Sequence, residues 1–200
     1  PPPQALAPAM LAMLAIPRLV HASIVDPSGV VMPGDFNGDD AVDIVVSSPE
    51  ADCGKGAIYV FSGTTLSTWT RDSAGILGVA ACDDLFGASL AVGDIDNDGY
   101  DDLAIGVPGA SDSGESHSGS VHVIYGSSTG LTATGDQIWH QDVAGIDGVS
   151  ENDDHLGDAV EMGDFNCDGI ADLAIGAPFA TTTPTGTLIS FHQGWVGVWY

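Results

Sequence analysis

The sequence predicts an all-β chain of repeated, four-stranded antiparallel units, and three observations lead there. Residues 74–108 and 144–178 align without a gap, and 18 of the 35 positions are identical. A nine-residue acidic segment occurs three times, at Asp35–Asp43, Asp94–Asp102 and Asp164–Asp172. The composition holds 27 glycines, 44% hydrophobic residues and only 16% charged residues, which favours tight turns around a buried core and opposes disorder.

Within each repeat the elements follow in order. Ser89–Gly93 precedes the acidic segment and Asp102–Gly106 follows it. After a Gly/Ser-rich loop, Ser120–Tyr125 alternates and is rich in β-branched residues, which is a strand pattern. Gln137–Gln141 is the expected fourth strand. The first repeat offers Gly56–Ser62 and Ser67–Arg71 at the same places. The third offers Gly186–Phe191, with Trp195–Tyr200 where a fourth strand is expected. Pro49, Pro108 and Pro178 each fall just past a second strand, where a missing N–H costs little. Four antiparallel strands repeating about every 60–70 residues is the anatomy of β-propeller blades; parallel solenoids use shorter coils. The blades are expected at about 23–73, 74–143 and 144–200.

The acidic segments carry the chemistry. Each places an oxygen-bearing side chain at positions one, three, five and nine: Asp35, Asn37, Asp39 and Asp43; Asp94, Asp96, Asp98 and Asp102; Asp164, Asn166, Asp168 and Asp172. Alternate residues of a tight loop aim their carboxylates at one centre, where like charges repel unless a cation lies between them. An irregular, oxygen-only cage suits Ca2+, up to three ions in all. Gly99 and Gly169 supply a left-handed turn at position six, which Asp40 fills at some strain in the first loop. The seventh residues, Ala41, Tyr100 and Ile170, are expected to donate backbone carbonyls. An EF-hand requires a Glu at position twelve and a following helix; here Val46, Ile105 and Ile175 stand inside β-type runs. With four aspartates and its glycine, the second loop is expected to bind most tightly, and the first most weakly.

Three Lys plus Arg against 28 Asp plus Glu give a formal charge of -25, which disfavours nucleic acid and anionic membrane surfaces as partners. The apolar run Ala5–Ile16 is too short to span a bilayer. Residues 1–22 read either as a signal-peptide remnant or as an Ala/Pro-rich leader. Cys53 and Cys82 either pair in an oxidising compartment or stay reduced, with Cys167 free in both cases. No nucleophile elbow, His-Glu-x-x-His or phosphate-binding glycine loop occurs. Ser111–Gly114 reads as linker, His122 and His140 as packed or surface imidazoles within strands, and His155, just before Leu156-Gly157, has no evident metal-ligand partner, so no enzyme activity is expected.

The combination resembles the FG-GAP repeats of integrin α-subunit propellers and their prokaryotic relatives, over about residues 29–194. Phe86-Gly87 matches the FG, Gly106-Val107-Pro108 and Gly176-Ala177-Pro178 match the GAP, and the calcium loop lies between. Leu156-Gly157 replaces FG in the third copy, and Ser47-Ser48-Pro49 replaces GAP in the first. The resemblance implies a seven-bladed ring, with calcium loops on its lower face and loops for an extracellular protein or glycan ligand on its upper face. It also implies a secreted or cell-surface adhesion module; the alternative is a non-catalytic accessory propeller of a secreted hydrolase such as a phospholipase. Three copies cannot close that ring, so an open arc needing further blades is expected, with Ile44–Val46 and Leu173–Ile175 partly exposed. In the propeller, Cys53 and Cys82 would both lie in upper-face loops.

Overall fold

The computed structural model describes residues 28–143, 149–182, 191–192 and 194–199. The 1–22 leader and most of the expected strand Gly186–Phe191 lie outside the described residues. Three antiparallel sheets stand side by side. The first contains β1 (Val31–Gly34), β2 (Asp43–Ser48), β3 (Ala57–Ser62) and β4 (Thr65–Trp69), in that order. The second repeats the order with β5 (Ser89–Gly93), β6 (Asp102–Val107), β7 (Ser120–Tyr125) and β8 (Thr132–Trp139). The third holds β9 (Ala159–Gly163), β10 (Asp172–Ala177) and β13 (Trp195–Trp199), while β11 (Thr181–Thr182) and β12 (Phe191–His192) form a separate hairpin. The innermost strand β5 packs between β1 and β9, so the sheets are successive propeller blades; they form no closed ring.

Trp195–Trp199 therefore takes the third place in its sheet, not the expected fourth. Its register against β10 repeats that of the other third strands: Ala177 faces Trp195 as Val107 faces Ser120 and Ser48 faces Ala57. Two large indoles explain the choice, because Trp195 and Trp199 pack against the core between the second and third sheets and Trp199 meets Trp139 at 5.5 Å. The fourth strands also begin earlier than expected. Ser62 pairs with Thr65, so Gly63-Thr64 is a two-residue hairpin, with Gly63 at φ 55. In β8 a register shift opposite Val123–Tyr125 lengthens the strand toward Thr132.

Side-chain alternation assigns each blade two different faces. Leu103, Ile105 and Val107 enter the core shared with the first sheet, while Ala104 and Ala91 enter the core shared with the third. Leu173 and Ile175 likewise point at the second sheet and are buried, so within that run the partial exposure expected is confined to Ala174. In the first sheet Val45 and Val46 are buried and only Ile44 is half-exposed.

The FG motif joins consecutive blades. Phe86 forms a parallel bridge with Gly56, and Leu156 with Gly119. The N–H groups of Leu85 and Phe86 donate to the carbonyls of Gly54 and Lys55; those of His155 and Leu156 donate to His117 and Ser118. Nearby, Cys53 and Cys82 are disulfide-bonded with Cα atoms 5.1 Å apart, and Cys167 is free and exposed. Phe86 is fully buried, so Phe86→Ala should destabilise the chain by about 3–5 kcal/mol. Exposed Val149→Ala should change stability by less than about 0.5 kcal/mol. Urea unfolding of the two variants checks the contrast.

Candidate metal centre

Each acidic loop links the first two strands of its sheet, at the end opposite the disulfide, and the three are built alike. The ninth aspartate is the buried anchor: Asp43, Asp102 and Asp172 accept N–H bonds from Phe36, Ile95 and Phe165 at 3.2, 2.9 and 2.7 Å. The first aspartate gathers the turn. Asp35 accepts from the N–H groups of Asp39 and Asp40, Asp94 from Asp98 and Gly99, and Asp164 from Asp168 and Gly169. The fifth aspartates, Asp39, Asp98 and Asp168, accept the N–H of Ala41, Tyr100 and Ile170, which fixes the seventh residues. Position six is left-handed as expected, with φ of 62 at Asp40, 93 at Gly99 and 94 at Gly169. Position four is left-handed too, at Gly38, Asn97 and Cys167, a demand that spacing alone did not reveal.

The loops differ at position three. Asn37 donates from its amide to Asp39, and Asn166 to Asp168, so an N–H stands between carboxylates in the first and third loops. The second loop has Asp96 there. One carboxylate oxygen each from Asp94, Asp96 and Asp102 lies within 4.8 Å of the others, the one such gathering among the described residues; Asp98 stands outside that triplet. Desolvation, opposed by the N–H bonds of Gly126 and Ile95 and assisted by Asp96 and Asp94, pushes Asp102 up to about 6. Desolvation and the charges of Asp98 and Asp94 also raise Asp96. Asp43 is raised mainly by its burial, with Ser62 and the Phe36 N–H opposing. An oxygen-only set in which Asp96 and Asp102 hold their protons too tightly fits a hard divalent cation.

Two buried polar groups were not legible as functional features. Arg71 is sealed between Asp84 (2.6 Å) and Asp112 (2.5 Å), which clamps the first sheet to the second. His122 is buried with Nδ1 3.2 Å from Asp136, and Asp136 accepts the Leu77 N–H at 2.7 Å. The repeated Asp-Asp at 83–84 and 153–154 was the available signal for the first clamp, since Asp84 and Asp154 are both buried.

Comparison with known proteins gives one family. The profile of the FG-GAP repeat matches residues 29–61, 86–124 and 156–189. Phosphatidylinositol-glycan-specific phospholipase D of Bos taurus is 40% identical over 92 residues, 46% of this chain and 11% of that protein. Integrin alpha-PS5 of Drosophila melanogaster is 36% identical over 157 residues, 75% of this chain and 15% of that protein. Integrin alpha-5 of Xenopus laevis is 28% identical over 162 residues, 81% of this chain and 15% of that protein. The chain thus spans a small part of the length of the curated relatives it matches.

Two outcomes follow from the loop geometry. With chelator present, the stability contributed by a protonated Asp102 is complete below its unfolded value of 3.8 and is lost as pH rises through about 6. Melting temperature against pH should therefore fall across that window in the native chain and lack this component in Asp102→Asn. Cys167 holds a left-handed backbone at φ 64, so Cys167→Gly should raise stability by roughly 0.5–1 kcal/mol in urea unfolding.

Proposed function

The chain belongs to the FG-GAP repeat family, and from that premise we propose that it is a calcium-binding, non-catalytic propeller module of a secreted or cell-surface protein. Its loops at the end opposite the acidic segments would engage an extracellular protein or glycan. The observation that carries the calcium reading is the second loop, where three carboxylates converge within 4.8 Å without an N–H donor side chain among them. Asp94, Asp96, Asp98 and Asp102 would hold the ion, with the backbone of Tyr100; Ca2+ supplies the positive charge that lets all of them stay ionised. Asp35, Asn37, Asp39, Ala41 and Asp43, and Asp164, Asn166, Asp168, Ile170 and Asp172, would hold two further ions more weakly.

The Cys53–Cys82 disulfide supports an oxidising location. Among the described residues no helix is long and apolar enough to cross a membrane. The charge of -25 disfavours attraction to nucleic acid or anionic lipid and suits a calcium-rich exterior. A second reading, an accessory propeller beside a hydrolase domain, is favoured by the 40% identity to a phospholipase D over 92 residues. The complete reading frame separates the two: an upstream hydrolase motif supports the second reading, and a membrane stalk the first.

Calorimetric titration tests the calcium reading, with dissociation constants expected at roughly 10⁻⁴–10⁻³ M or tighter for the second loop. The informative variant is Asp96→Asn, because Asn already stands at that place in the other two loops. In chelator it should raise the melting temperature by relieving like-charge repulsion. In calcium it should weaken the tightest site by about ten-fold or more. A native chain that takes up no calcium and melts identically in chelator overturns the reading.

A further inference from the structure

The junction between the second and third sheets shares its backbone pattern with the first junction but carries different side chains. At the first, the N–H groups of Asp83, Leu85 and Phe86 donate to the carbonyls of Cys53, Gly54 and Lys55. At the second, those of Asp153, His155 and Leu156 donate to Ser116, His117 and Ser118. Ser116 and Asn152 therefore stand where Cys53 and Cys82 form the disulfide, and only a hydrogen bond of 2.7 Å, from the Ser116 N–H to the Asn152 side chain, joins them. In the same frame His117 replaces Gly54 and His155 replaces Leu85, while Asp153 repeats Asp83.

These replacements bring together two imidazoles from segments on either side of the junction. The His155 N–H donates to the His117 carbonyl at 3.2 Å, and the ring centres lie 6.2 Å apart. Two imidazoles sharing one zinc ion, each bonded at about 2.0–2.1 Å, hold their centres roughly 5–6 Å apart, so a small side-chain rotation closes the pair on an ion. Asp153 Oδ1 lies 3.2 Å from His117 Nδ1. With the proton on Nδ1, Nε2 is the nitrogen that offers a lone pair, and a carboxylate behind a ligating imidazole orients the ring and raises its basicity. His155 packs edge-on against Phe179 at 5.3 Å, which limits where its ring can turn. The side chains of His117 and Asp153 are 44% and 72% exposed, so an ion reaches them from solvent without opening the fold.

We propose that His117 and His155 form a second kind of metal site, for Zn2+, that ties the second sheet to the third where the disulfide ties the first to the second. Asp153 is its positioning residue, and water completes the coordination. Imidazole nitrogen suits zinc, whereas calcium takes oxygen ligands, so the site is chemically separate from the acidic loops. Because its two ligands meet only when the sheets are stacked, bound zinc stabilises the assembled junction.

The test is a zinc titration of the whole chain in saturating calcium, read by nuclear magnetic resonance of the histidine rings. The resonances of His117 and His155 are expected to shift together and saturably, while those of the buried His122 stay in place. Melting temperature should rise with zinc and return on chelation. His155→Leu is the decisive variant, because Leu85 already holds the equivalent left-handed place at φ 62, against 56 for His155. It should weaken zinc binding about ten-fold or more while leaving calcium uptake unchanged. Should it fail to fold, His117→Gly carries the same test, since Gly54 holds that place in the first junction. Asp153→Asn should weaken zinc about ten-fold, with recovery in Asp153→Glu. The proposal is overturned by rings that do not respond to zinc, or by zinc binding in His155→Leu as tight as in the native chain. A zinc response accompanied by dimers in light scattering also overturns it, since the two imidazoles then come from different copies. A chain that takes up no calcium still reports this site through its histidine shifts, so the two metal readings fail separately.

Discussion

A single close approach organises this chain: the backbone heading one repeat enters the space left by a missing Cβ in the sheet before it. At Gly56 and Gly119 the incoming carbonyl sits where a side chain would begin, so glycine is a steric requirement there and not merely a turn former. The contact is sealed by three backbone hydrogen bonds and by a buried Phe86 or Leu156. Burial of such a side chain contributes on the order of 2–3 kcal/mol, and the flanking backbone groups are paired and not stranded in an apolar interior. Around the first junction the disulfide ties the loop after β2 to the connection into β5, and Arg71 and Asp84 of that connection are held to Asp112 in the loop after β6.

The acidic loops are coupled to that stacking from the opposite end. The Asp101 N–H donates to the Asp35 carbonyl, and the Asp35 N–H donates to the Asp101 carboxylate at 2.7 Å. The Ala171 N–H donates to the Asp94 carbonyl in the same way. The three loops thus form a laterally bonded row, with the second in the middle. An ion held by Asp94, Asp96 and Asp102 would stiffen the residue through which the second loop touches the third. It would also fix Asp102, which accepts the Gly126 N–H beside the first loop's Phe36 carbonyl. Calcium affinity and blade packing are therefore expected to rise and fall together.

Much of this was legible because the repeat aligns chemistry with geometry. The spacing of aspartates at one, three, five and nine, and the Gly or Asp at six, describe a turn whose hydrogen bonds are local. The strands flanking it were read nearly to the residue for the same reason. The illegible parts depend on distant partners. Nothing near Trp195 in sequence says that it will face Ala177 rather than extend a fourth strand; the packing of Trp199, at the other end of the same strand, against Trp139 from another sheet decides it. Arg71 reads only as the end of an expected strand until Asp84 and Asp112 close over it. The left-handed place at position four was hidden because Gly38, Asn97 and Cys167 share no chemistry, only a backbone conformation.

The recurring Asp-Leu-Ala-Ile-Gly segment carries a directional instruction that a symmetric strand would not. Its leucine and isoleucine point toward the preceding sheet, and its alanine and glycine toward the following one, so each junction sets large side chains against small ones. The two ends of the arc are consequently unlike. The first sheet shows Ile44 on its outer face, while the third shows Ala174 and Gly176. Small residues and unfilled glycines leave room for an inserted backbone; bulky ones do not. The stacking is therefore polar: in the described blades each repeat inserts its head into the one before.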